Sequence, residues 1–204
     1  MKVTLLYKST SIILLLFLVG CRSEFQPVNV ADIPLTVSQS NDNQADLDVI
    51  IPNVETIVTE KLPDAYFADL VFTGKCQDLP DSHGKIIVSF IQVKTFLFSQ
   101  QILFATSTVN THEQEMELSI RDYSDPYTRT EGNPLVTDQQ FKEVLHIAYQ
   151  HLVGSGVADC EVTITQGKEV WNVLCGSLSQ PKPQLCDFGI NVETGEITRP
   201  VLNE

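Results

Sequence analysis

The sequence predicts an α+β fold made of helix-plus-antiparallel-sheet modules. Three observations carry the prediction. Residues 137–154 hold one well-formed amphipathic helix pattern. Segments alternating with a period of two run from Ala68 to Arg121 and again from Cys160 to Val192. The order helix, then antiparallel strands, occurs twice, roughly over 53–121 and 137–201. That order suggests two modules in tandem, on topology alone, because the halves share no residue-level identity. The expected organisation is a leader over 1–20, a flexible polar stalk over 21–50, a mostly β N-terminal α+β module over 51–134 and a C-terminal α+β module over 135–204.

Taken in order, Arg22 to Asp48 is rich in Ser, Asn, Gln, Asp and scattered Pro and has no sustained period, so it reads as a stalk. Asn53 is placed to cap a short helix, with Val54, Ile57 and Val58 on one face and Pro63 ending it. Ala68, Leu70 and Phe72 alternate as a strand, with Cys76 near its end, and Asp78 to Lys85 is loop chemistry. Ile86 to Phe98 is apolar on both faces, as in a central strand. Ile102 to Val109 is the next strand. Met116, Leu118 and Ile120 then alternate with polar residues as a half-exposed one. Thr137 and Gln140 form a capping-box pattern ahead of a stripe of Phe141, Val144, Leu145, Ala148 and Leu152, and Gly154 is placed to end the helix. A meander follows. Cys160, Val162 and Ile164 share a face, Gly167 turns, Trp171, Val173 and Cys175 share the return face, and Cys186, Phe188, Ile190 and Val192 alternate. Glu193-Thr194-Gly195 turns the chain into a last, edge strand near Pro200.

The leader is Lys2 and Lys8, an unbroken apolar run from Ile12 to Val19, and Gly20 before Cys21. The run is too short to cross a bilayer, which takes about 20 apolar residues. Leu18-Val19-Gly20-Cys21 resembles the lipobox of bacterial lipoproteins. The resemblance implies cleavage before Cys21 and acylation of its thiol and new amino group, hence a bilayer partner through acylated Cys21. Arg22 carries no Asp retention signal, which points to the outer membrane if the cell has two.

The chain holds 13 basic and 26 acidic residues, and residues 1–20 hold two lysines and no acid, so the processed chain stands at −15. Such a charge repels phosphates and excludes nucleic acid as a partner. Four cysteines remain beyond Cys21: Cys76, Cys160, Cys175 and Cys186. An even number in an exported chain suggests two disulfides. If Val173 lies opposite Phe188, Cys175 falls opposite Cys186, and Cys76 is left for Cys160 across the two halves. The other open pairing joins Cys160 to Cys175 around the Gln166–Glu169 turn and leaves Cys76 for Cys186.

The helix Gln139–Leu152, the W-x-V at Trp171 and Val173, and Ile190-Asn191-Val192-Glu193-Thr194-Gly195-Glu196-Ile197 resemble PepSY-type domains, small envelope modules named for peptidase propeptides. The resemblance covers about a third of the chain, and Asn191 stands near where that family often has Asp. It implies binding or inhibition of an envelope protein partner rather than catalysis. The same residues have structural roles of their own, as core for Trp171 and Val173 and as a turn for Thr194-Gly195.

No catalytic or metal constellation emerges. His112-Glu113-Gln114-Glu115-Met116 begins like a zinc motif but has Met116 in place of the second histidine. Gly154-Ser155-Gly156 lacks the spacing of a nucleophile elbow. Asp78, Asp81 and His83 share a loop that reads as a solvated turn. The expectation is therefore a non-enzymatic, cofactor-free, lipid-anchored binding module facing outside the cytoplasm. The alternative is a small-ligand or peptide binder in a cleft between sheets, lined from Phe90 to Phe104.

Overall fold

A computed structural model describes residues 28–34, 46–96, 99–111, 115–122, 131–176 and 187–198. In chain order the elements are β1 (Val28–Pro34), α1 (Leu47–Lys61), β2 (Tyr66–Lys75), a 3-10 turn (Cys76–Asp81), β3 (Lys85–Phe96), β4 (Ser99–Asn110), β5 (Glu115–Asp122), α2 (Asp138–Gly154), β6 (Glu161–Thr165), β7 (Val170–Cys175), β8 (Phe188–Asn191) and β9 (Ile197–Thr198). The fold is α+β. Among the described residues the strands form one antiparallel sheet in the order β1-β5-β4-β3-β2-β6-β7-β8-β9.

The centre of the sheet is the antiparallel pair β2 and β6, joined from Val71 opposite Thr165 to Lys75 opposite Glu161. From there β3, β4 and β5 run outward on one side and β7, β8 and β9 on the other, each set a meander preceded by a helix. The two halves do not bury separate cores. Phe141 of α2 lies against Phe72 of β2 (5.9 Å between ring centres) and against Trp171 of β7 (6.5 Å). Both helices bury their apolar stripes in one continuous cluster with one face of the sheet. A central antiparallel pair makes this so: its inward side chains have neighbours on both sides, and a boundary at 134/135 leaves the core undivided.

The helices start where side chains satisfy their free N–H groups. Asp46 caps α1, its carboxylate accepting from Asp48 N at 3.0 Å. In α2 the expected capping box is present: Gln140 N donates to Thr137 Oγ1 (3.2 Å) and Thr137 N to Gln140 Oε1 (3.1 Å). The two N-termini also cap each other. Leu47 N donates to Asp138 Oδ1 (3.1 Å) and Asp138 N donates to Asp48 Oδ1 (3.2 Å). Three carboxylates thus face the positive ends of two helix dipoles. The α2 stripe is buried as read: Phe141, Val144, Leu145, Ala148 and Leu152. Gly154 is its last helical residue, and the left-handed position after it belongs to Gly156 (φ +75°).

Several expectations give way. The polar segment over 21–50 is not featureless. Val28–Pro34 pairs antiparallel with β5, Val28 opposite Ile120 and Val30 opposite Leu118, and α1 begins at Leu47 rather than at an Asn53 cap. A register shift between Val30 and Ile33 interrupts the alternation of β1, which hides a strand from a period-two reading. Pro52 hides the start of α1, yet it sits in the second turn on the exposed side. Ala68 does not share a face with Leu70 and Phe72. A bulge between Phe67 and Asp69 gives the core face to Phe67, while Ala68 joins Ile91 and Ile102 in a small cluster apart from the main core. The stretch read as loop chemistry opens inside the 3-10 turn, anchored by fully buried Cys76 and Leu79. Finally, the described strands make one sheet, and among the described residues no second sheet faces it. Phe90 is fully buried core and Phe104 is half-buried against the small cluster.

Candidate functional site: a pocket beneath the β8–β9 turn

The β8–β9 turn is built by Asn191. Its Oδ1 accepts from Glu193 N and Thr194 N, both at 2.9 Å, and its backbone carbonyl accepts from Gly195 N at 3.0 Å. Thr194 Oγ1 accepts from Glu196 N at 3.2 Å. The amide oxygen of Asn does here what a carboxylate oxygen of Asp would do, since either accepts two N–H groups. Gly195 takes a left-handed conformation (φ +67°), and a Cβ there would stand 3.1 Å from Ile147 Cδ1 of α2. Turn and helix therefore approach closely, but they do not seal.

Between them lies a pocket of about 150 Å³. Trp171 and Ile190 of the sheet and Val144 and Ile147 of α2 form its apolar walls. Pro134, Leu135 and Val136 close one side, and Leu135 is 65% exposed. Gln140, Glu143, Gln166, Asn191, Glu193 and Thr194 supply the polar lining, and no lining residue is basic. Gln166 is 4% exposed. Its Nε2 donates to Pro134 O at 2.7 Å, and its backbone carbonyl accepts from Asn133 Nδ2 at 3.1 Å. The bond to Pro134 sets which way the amide faces. Its Oε1 is buried with no hydrogen-bond partner. A buried acceptor left open costs about 1–3 kcal/mol.

The thiols form a second cluster. Lys75 lies opposite Glu161, and one step further Cys76 N donates to Cys160 O at 2.9 Å. Cys76 is fully buried beside Cys160. Burial first, then the charge of Cys160 and a hydrogen bond with it, pushes the Cys76 thiol up to about 11. Val162 lies opposite Cys175, so Cys160 and Cys175 are offset by two positions along the β6–β7 ladder. Val173 lies opposite Phe188, the register that carries the Cys175–Cys186 pairing. Cys186 is outside the described residues, as are Cys21 with the whole leader, His112 and Glu113. Met116 is core on β5, 2% exposed.

The structure thus gathers into one site part of what the sequence singled out in the C-terminal half: Gln140 and Val144 of α2, Trp171 and the Asn191–Gly195 turn. Sequence reasoning missed Gln166 and the 134–136 segment. Gln166 sits in a turn, where a polar residue is expected to be solvated, and nothing local shows that the segment after Gly132 folds over it. His146 is exposed and bonds Gln150 (2.7 Å), whereas the His151 ring lies tilted against Phe188, 4.5 Å between ring centres. No group of three or more metal-ligating side chains comes together among the described residues. Compared with protein-family models, curated proteins and solved structures, the chain matches none.

Proposed function

We propose that this chain is a membrane-tethered, non-enzymatic lipoprotein of the cell envelope that binds or inhibits a protein partner. It is anchored through acylated Cys21 and faces outside the cytoplasm, on the outer membrane where the cell has two. The observation that carries this reading is the pocket: most of its lining, on α2, at Trp171 and over Ile190–Gly195, comes from segments that resemble a PepSY-type module. Its lining contains no cysteine, serine, histidine or lysine, and its one hydroxyl, Thr194, is engaged by Glu196 N. That lining suits recognition. Small-molecule sites usually measure about 300–1,000 Å³, so a pocket of about 150 Å³ favours one side chain of a partner over a whole metabolite.

The tether is shorter than a stalk reaching to residue 50. With β1 starting at Val28, seven residue steps separate Cys21 from the sheet, a reach of at most about 25 Å. The β1–β5 edge is then held close to the lipid.

A photo-crosslinking residue at exposed Leu135, in membranes carrying the full chain, tests the binding reading. One predominant protein adduct is expected, and its loss in Gly195→Val, which narrows the pocket, supports the site. Absence of any protein adduct refutes the partner. Cys21→Ser is expected to move the folded protein into the soluble fraction; retention in the membrane refutes the anchor.

A further inference from the structure

We propose that the pocket beneath the β8–β9 turn is a receptor for a cationic side chain, a lysine or arginine presented by the partner. The inference rests on the binding-module reading and names its chemistry. Three features of the lining converge on this guest.

The first is the buried acceptor. Gln166 Oε1 has no partner, and its orientation is held by the bond from Gln166 Nε2 to Pro134 O. Gln166 lines the pocket, and an open acceptor there is satisfied by a group that brings an N–H or O–H. The second is charge. Glu143 and Glu193 line the same pocket from α2 and from the turn, both exposed, and no basic residue lines it. Two carboxylates at the mouth favour a cation there, and the chain's net charge of −13 draws cations toward it from further away. The third is shape. Val144, Ile147, Trp171 and Ile190 are apolar walls for an aliphatic stem. The pocket's volume of about 150 Å³ is that of a benzene-sized guest. The five heavy atoms of a lysine side chain fit that volume, and the planar end of arginine fits its open mouth.

Trp171 is the chain's single tryptophan, so its fluorescence reports the pocket directly. The full chain is titrated with N-acetyl-lysinamide, N-acetyl-argininamide and the uncharged isostere N-acetyl-norleucinamide. The cations are expected to give a saturable change, with the norleucine compound at least about tenfold weaker, and added salt is expected to narrow the gap. Glu143→Gln combined with Glu193→Gln is expected to erase the preference for the cation. Both positions are exposed, and unchanged circular dichroism and melting temperature show that the variant folds. Free arginine serves as a further arm. If it binds as well as the capped residue, the guest is a free metabolite and the side-chain assignment is overturned. Equal binding of the norleucine compound, an unchanged preference in the double variant, or no response of Trp171 to either cation also overturns the inference, the last meaning that the acceptor is met by water. The two readings fail separately. Missing crosslinks with intact cation binding remove the protein partner and keep the pocket. Crosslinks without cation binding keep the partner and remove the cation.

Discussion

Oxidation of Cys76 and Cys160 to a disulfide is expected to contribute more stability than any other single bond in the fold. The two residues are the next opposed pair beyond Lys75 and Glu161, with Cys76 N already bonded to Cys160 O. Opposed residues in an antiparallel pair have Cα atoms about 4.5–5.5 Å apart, inside the range a disulfide spans. The bridge would close a loop of 84 residue steps between the halves. Chain entropy then gives about 4.6 kcal/mol, and since measured bridges typically contribute about 2–4, the expected effect is about 2–5 kcal/mol. The assay is urea unfolding followed by Trp171 fluorescence, with and without reductant, for the parent chain and for Cys160→Ala. The parent is expected to lose that stability on reduction. Cys160→Ala is expected to lack it under oxidising conditions and to change little when reduced. Equal midpoints for the oxidised and reduced parent refute the pairing, as does a Cys160–Cys175 peptide in a non-reduced digest. The reduced chain carries a pH signature as well. Cys76 is raised from an ordinary thiol value of 9.0 to about 11, so between those values the folded chain holds a proton that the unfolded chain has released. Stability therefore falls as pH rises across that window, by about 2–3 kcal/mol for this group. The bridged protein has no such thiol and is expected to show a shallower slope. Tyr66, raised by burial and by Glu131, contributes to both forms.

Two further predictions concern the junction of the halves. Asp138→Ala removes the acceptor for Leu47 N and the ion pair with Lys142 (2.6 Å). A loss of about 1 kcal/mol is expected in chemical denaturation, as for a lost helix cap, and no loss refutes the mutual capping. Phe141→Ala empties the fully buried site between Phe72 and Trp171 and is expected to cost about 3–5 kcal/mol. Because one core serves both halves, tryptophan fluorescence and far-UV circular dichroism are expected to follow a single transition in this variant. Two separated transitions refute the shared core.

Much of the fold was legible because its long elements keep strict periods. The α2 stripe, its capping box and the alternation of β5 were read from local pattern and are present in the structure, whereas β3, read as buried on both sides, leaves Ile87 and Val93 half-exposed on its second face. The register of Val173 opposite Phe188, posed as a condition on the sequence, is the one the structure has. The misreadings fall where a period is broken. A shift hides β1, a proline on an exposed turn hides the start of α1, and one extra residue at Ala68 transfers a side chain to the other face. A period-two argument cannot pass through a bulge, because one inserted residue reverses every assignment beyond it.

The sequence by itself determined the class of the fold, the faces of its long elements and its excess of negative charge, since these depend on spacing and composition alone. Only the tertiary structure decided that β2 and β6 lie side by side. That single pairing merges the halves into one core, brings Cys76 to Cys160 and folds the segment after Gly132 against Gln166. The physical reason is that the pairing is non-local: β2 and β6 are about 90 residues apart, and no local pattern records which strand satisfies another's free edge. The open acceptor of Gln166 exists only once that edge is closed.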